Sequence, residues 1–336
     1  MPSQLLHILF GEKVFPDIPA EHGKAFALGC QGPDIFYHSQ GRRPVGLEYG
    51  TLLHRRGVGS FTAELLGMAF HTWSDEKSEI SALGAYALGF MTHPILDRFT
   101  HPYIVYKSEI PRLEGSHAFF ERIIDVLMLK LLRGMEITSW DQEGILADTC
   151  ENPPLGLREL LAEALIAAFP ERAGKDEKLR LRIENTFLDC AGFYRSTAPM
   201  KKIPAHPREE SSDGMFPISK RRLVCLYPVE LPLNMDFLNL GKQPWYSPTD
   251  GKKEDRRSFP EIYNEALAAA ADSLTRKIDR LLDEGVFPSD EAISEAIGNG
   301  GLNIVDESGK PCAPCRTDPL PLEEVLERQA KLRHIP

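Results

Sequence analysis

The amino-acid sequence predicts a mostly α protein, a multi-helical bundle interrupted by irregular Pro-rich segments. Two observations carry this. Apolar residues recur at three- and four-residue spacing through several long stretches. Helix punctuation also stands at the ends of those stretches: a Ser258-Phe259-Pro260-Glu261 capping box, and Gly134 and Gly285 just past two runs.

The first clear element is residues 79–101, small and apolar up to His93, where Pro94 is expected to kink the helix by removing a donor. Residues 116–133 form the next, with Ser116 as N-cap and a stripe of Phe120, Ile123, Ile124, Leu127 and Leu131. Two further helices are read at 157–169 and 176–195. Residues 198–257 are rich in Pro, Gly and charge, a length that implies a functional segment or one folded against the core. One short strand is read around Leu223–Leu231. The capping box opens a helix to about Asp283, burying Ile262, Ala266, Ala270, Leu274, Ile278 and Leu281. After about Ile304 the chain is Pro-rich and reads as a loosely attached tail with one helix, Leu322–Leu332.

A chain of 336 residues can bury a sizeable core unaided, so a metal site in it is free to be functional. The net charge of -10 argues against binding nucleic acid through a basic stripe. Met1 to His7 lack a basic region followed by a long apolar stretch, which predicts no secretory signal. No segment approaches the ~20 apolar residues of a membrane span. Six scattered cysteines do not form a disulfide framework, and the cytoplasm is the expected compartment. Cys312 and Cys315 make a lone C-x2-C, too little by itself to define a metal or redox site.

The histidines are unevenly placed. His7, His22, His38, His54, His71, His93, His101 and His117 precede position 118; only His206 and His334 follow. Within that crowded region His93, Asp97 and His101 are spaced i, i+4, i+8, about 40° apart per step on one helix face. His117 and Glu121 repeat the spacing on the next helix, and Asp125 continues their line. Asp34 follows Gly32-Pro33, and His54 follows Leu52-Leu53. A single His four residues from an acid is more often a helix-face pair than a ligand. Two such pairs on neighbouring helices point to a metal site. Mixed imidazole and carboxylate donors suit zinc in catalytic sites, where an open position is left for water.

The order His7, Asp34, His54, His93-x3-Asp97-x3-His101, His117-x3-Glu121 resembles the zinc-dependent phospholipase C family, which shares its fold with single-strand-specific fungal nucleases. The blocks Leu28-Gly29-Cys30-Gln31-Gly32-Pro33-Asp34 and Asn239-Leu240-Gly241-Lys242-Gln243-Pro244-Trp245 are also similar to bacterial members of that family. The resemblance covers roughly residues 1–285 as one helical domain around a zinc cluster, with 286–336 as a C-terminal appendage. It implies two or three zincs. Asp34, His54 and His93 would hold one, with Asp97 bridging to another; His101, His117 and Glu121 would hold the second. The third would use His7, Asp97 and the terminal amine of Pro2 after removal of Met1. Ile35 and Thr51 stand where the secreted phospholipases carry aromatics, so no choline specificity is implied.

The implied activity is hydrolysis of a phosphate ester, first a phospholipase C-type phosphodiester cleavage by metal-bound hydroxide, with Asp34 orienting or deprotonating the water. The expected partner is a phosphate-ester substrate, a phospholipid at a membrane surface before nucleic acid. A nuclease or phosphomonoesterase on a soluble substrate is the rival within the enzymes. It would use stacking aromatics, for which Phe36, Tyr37, Trp73 and Tyr103 qualify by type. A metal-stabilised binding or scaffold protein without turnover is the rival outside them. Arg42-Arg43 and Arg55-Arg56 are candidates to approach a phosphate, and otherwise solvated charge.

Overall fold

The computed structural model describes residues 4–74, 80–110, 113–199, 223–275, 288–306 and 310–333. The chain is mostly helical, and among the described residues the sheet is one two-stranded antiparallel ribbon, Trp245–Tyr246 with Glu254–Asp255. The N-terminal region contributes α1 (Gln4–Val14), α2 (Gly23–Gly29), α3 (Leu47–Arg55) and α4 (Val58–Ser74). Then come α5 (Ala82–Ser108), α6 (Ser116–Arg133), α7 (Asp148–Glu151), α8 (Leu157–Ala168) and α9 (Leu179–Thr197). Helices Phe259–Ala270, Asp290–Ile297 and Leu322–Leu332 follow. No helix among the described residues is long and apolar enough to cross a membrane.

The 27-residue α5 is the axis of the fold, buried around most of its circumference, as a helix apolar on all sides must be. It begins at Ser81, whose hydroxyl accepts the Gly84 N–H at 3.1 Å. It runs past Pro94 and Pro102 to Ser108, seven residues beyond the expected end. Burial of Tyr103, Ile104, Val105 and Tyr106 outweighs the roughly 3 kcal/mol that an interior proline costs a helix.

Two glycines let α2 lie directly on α5. A Cβ on Gly29 would sit 2.1 Å from the Tyr86 carbonyl oxygen, and one on Gly89 2.3 Å from that of Phe26. This backbone approach carries the turn after α2 onto His93. Gly32, at φ +54, lies against the His93 ring, where a Cβ would come within 2.4 Å.

α1 is anchored by a buried carboxylate. Asp125 of α6 accepts the N–H groups of Gln4 (3.1 Å), Leu5 (3.2 Å) and Leu6 (2.7 Å), which have no partner within their own helix. Buried Arg122 binds the Gln4 side chain and, at 2.8 Å, the Tyr227 hydroxyl, which in turn donates to Asp125 at 3.2 Å. Asp125 thus supports α1 instead of extending the line of His117 and Glu121 into the site. Asp125→Ala is expected to destabilise the protein by about 3–5 kcal/mol, because it strips three helix donors and leaves the Arg122 charge buried. A denaturant melt checks this; a change below about 1 kcal/mol would mean the carboxylate is dispensable.

Other elements follow or revise the sequence reading. α6 spans Ser116–Arg133, but its N-cap is Gly115 in the left-handed region, one residue before the expected Ser116; Gly134 closes it. The Ser258–Glu261 capping box forms, and Ile262, Ala266, Ala270 and Leu274 are buried. Ile278, Leu281 and Gly285 lie outside the described residues. Residues 223–231 form no strand: Pro228 cannot donate to a ladder, and Leu223, Val224 and Tyr227 turn into the core. The ribbon lies further on, where Trp245 packs edge-on to Tyr103 at 5.5 Å and donates to the Arg257 carbonyl. The C-terminal segment packs inward, with Leu302, Leu322 and Val325 fully buried in the main core.

Candidate metal centre

Four elements converge on the α5 face that carries His93, Asp97 and His101. α1 brings His7, the 3-10 turn Gly32–His38 brings Asp34, the last turn of α3 brings His54, and α6 brings His117 and Glu121. All except His117 are buried. Three groups have donor atoms mutually within 4.8 Å: Asp34–His54–His93, His7–His93–Asp97 and His101–His117–Glu121.

The separations suit a shared cation. An ion ~2.0–2.1 Å from each donor in a tetrahedral shell sets the donors about 3.4 Å apart. His54 Nε2 lies 2.9 Å from Asp34 Oδ1, and His93 Nε2 lies 3.5 Å from Asp34 Oδ2 and 3.2 Å from Asp97 Oδ2. His7 Nε2 is 3.2 Å from Asp97 Oδ1. On the other side, Glu121 Oε1 is 3.6 Å from His101 Nε2 and 3.1 Å from His117 Nε2. Yet both Asp34 oxygens, Asp97 Oδ2, Glu121 Oε2 and His93 Nε2 are buried without a hydrogen-bond partner. Lone pairs that lie close but unaligned, away from water, match a cation's needs better than a proton's.

The imidazoles are turned by backbone carbonyls. Nδ1 of His54 donates to Gly50 O (2.7 Å), that of His93 to Cys30 O (3.2 Å) and that of His101 to Leu302 O (2.8 Å). In that tautomer each Nε2 keeps its lone pair facing the carboxylates, the arrangement of metal-ligating histidines. His93 has one free nitrogen and can serve one ion. Asp97 offers Oδ1 toward His7 and Oδ2 toward His93, and can serve two. The terminal amine lies outside the described residues.

Electrostatics follow from this crowding. Burial opposes the charge on Asp97, but His101, His93 and His7 hold its carboxyl well below the ordinary range. Burial likewise works against Glu121, and His117 and His101 override it downward. Burial would lower His101, but Asp97 and Glu121 push it up to about 9. His7 is lowered by burial and by His93.

A cleft of about 300 Å³ opens on the centre, lined by Asp34, Tyr37, His54, His101, Glu109, His117 and Asn303. Glu109 was missed in the sequence: it lies eight residues past His101, beyond Val105, where the i+4 series has already broken. Asn303 carries no spacing signal either. Among the described residues no Arg or Lys lines this cleft. Arg42 pairs with Asp189 and Arg43 with the Gln40 carbonyl. Phe36 and Tyr103 are core residues, whereas Tyr37 lies against His54 with ring centroids 4.5 Å apart. The side chains of His71 and Trp73 are outside the described residues. His38 stacks on Phe193 in the core. Cys312 and Cys315 belong to none of the three groups.

Residues 6–166 match the family described as zinc dependent phospholipase C. No curated protein and no solved structure matches the chain. The match and the His/carboxylate groups together fit a zinc hydrolase. The matched region holds every one of the candidate ligands from His7 to Glu121, and over residues 6–166 the chain is assigned to the zinc-dependent phospholipase C family.

Proposed function

We propose that the protein is a zinc-dependent hydrolase of phosphate diesters, of phospholipase C type, with phospholipid as its first substrate class. The observation that carries this is the set of three donor groups, two of them sharing His93, with Asp34, His54, His101 and His117 opening onto one cleft. Asp34, His54, His93 and Asp97 would hold one zinc, and His101, His117 and Glu121 a second. His7 and Asp97 would contribute to a third. Bound zinc supplies Lewis-acid polarisation of the phosphoryl oxygen and a water of lowered pKa.

The chain's own residues do the remaining work. Asp34 stands on the cleft wall with neither oxygen in a hydrogen bond, placed to orient the attacking water and accept its proton. The imidazoles fixed by Gly50, Cys30 and Leu302 need no reorganisation as charge develops on the phosphoryl oxygens. The absence of Lys and Arg from the described lining, with Glu109 at its rim, favours a compact headgroup over a polyanionic strand.

The test offers the zinc-loaded protein phospholipid vesicles, single-stranded DNA and a chromogenic phosphomonoester. Release of a phosphorylated headgroup from vesicles, lost in Asp34→Asn, is the expected result. Turnover of DNA or the monoester alone would replace the substrate class. Full zinc loading with no turnover of any of the three would make the protein a metal-stabilised scaffold.

A further inference from the structure

Arg98 stands one residue past Asp97 on α5, and its side chain grips a loop about 200 residues further along the chain. The guanidinium donates to four backbone carbonyls of that loop. These are Ile297, Gly298 (2.8 Å), Gly300 (3.0 Å) and Gly301 (3.4 Å). Four acceptors converging on one planar fork is a geometry that the three rotating donors of lysine do not reproduce. α4 holds the other side: the Asn299 side chain accepts the Ser60 N–H at 2.8 Å, and the Asn299 carbonyl accepts that of Gly57 at 3.0 Å.

What the gripped loop delivers is residue 302. Its N–H donates to the His54 carbonyl at 2.9 Å, and its own carbonyl receives Nδ1 of His101 at 2.8 Å. One residue thus ties the segment bearing His54 to the ring of His101, which belong to different donor groups. The next residue, Asn303, lines the cleft with its side-chain oxygen held by the Ile304 N–H at 2.8 Å. The strap itself, residues 297–303, lies beyond residues 6–166, where the family match ends.

We propose that the Ile297–Asn303 strap is a built part of the metal centre: gripped by Arg98, it fixes the orientation of His101 through the Leu302 carbonyl and so sets the affinity of the ion held by His101, His117 and Glu121. The inference rests on the zinc reading of that group. Arg98 and the strap are positioning elements, since neither touches the ion's donors except through His101. Removing such an outer partner of a ligating histidine weakens metal binding by roughly 10–100-fold. A strap that merely covered the core would instead affect the stability of the whole protein and spare the affinity of any one ion.

The experiment measures zinc dissociation from full-length wild type, Arg98→Gln and Gly301→Ala by competition with a chromophoric chelator. Melting curves of the metal-free proteins establish folding. Gly301→Ala disturbs the strap without touching Arg98, because its Cβ would meet Val305 at 2.7 Å and the His54 carbonyl at 3.3 Å. The expected result is that the zinc which His117→Ala removes weakens about 10–100-fold in both variants, while in Arg98→Gln the others keep their affinity. In the cobalt-substituted protein the visible spectrum of that one site changes. Folded variants whose zincs all keep their affinity, or all weaken equally, would overturn the proposal. A wild type that binds no zinc would overturn the zinc reading beneath it, a distinct result.

Discussion

Asp97→Ala is expected to empty more than one zinc position at once, whereas His117→Ala empties one. The difference follows from where each donor stands. Asp97 Oδ1 is 3.2 Å from His7, and its Oδ2 is 3.2 Å from His93 and 4.0 Å from His54. It is 2% exposed, so no water replaces the lost carboxylate, and the imidazoles around it lose the charge that offsets a cation. His117 is partly exposed and belongs to one donor group alone, 3.1 Å from Glu121 and beside His101. Hydrolysis should fall by at least about 10³-fold in Asp97→Ala, since several kcal/mol of charge stabilisation go with the ions. Elemental analysis of protein purified without chelator reads the stoichiometry directly. Equal zinc content in wild type and both variants would refute the shared role of Asp97.

Much of this arrangement was legible in the sequence because it is written in helical periodicity. His93, Asp97 and His101 share a face by the 3.6-residue period alone, and His117 and Glu121 repeat it. Spacing does not show that α1 lies across α5, so bringing His7 to Asp97 rested on the family resemblance. The physical cause is Asp125, which reads from sequence as a further ligand but serves α1 by accepting three backbone N–H groups. Helix ends were legible where side chains decide them, as at Ser258–Glu261. They were obscure where tertiary burial decides, as in the run of α5 past Pro102. The carbonyls that orient His54, His93 and His101 left no trace, because a backbone acceptor places no demand on the residue that carries it. The tail after about Ile304 read as loose because it is Pro-rich, and its attachment through Leu322, Val325 and Leu326 to the main core depends on tertiary packing that composition does not show.

Stripping the metal is the second large effect, and its size should depend on pH. A ligand that binds only the folded state at a thousand times its dissociation constant stabilises it by about 4 kcal/mol per site. Removal of two zincs by a chelator should therefore lower the melting temperature by about 10 °C and abolish hydrolysis. The metal-free protein is not equally destabilised at every pH. His101, pushed up to about 9 by Asp97 and Glu121 against the effect of burial, holds a proton among those carboxylates in the folded state. A raised folded pKa contributes stability that is fully present below the unfolded value near 6.5 and is lost as pH rises through about 9. In the proposed centre zinc would take the same Nε2, with an affinity that rises as that proton leaves. The gap between loaded and stripped melting temperatures should therefore widen from pH 6.5 to pH 9. Calorimetry with and without chelator across that range measures it. A gap that is constant or narrows with pH would mean that His101 is not among the groups the ion and the proton compete for.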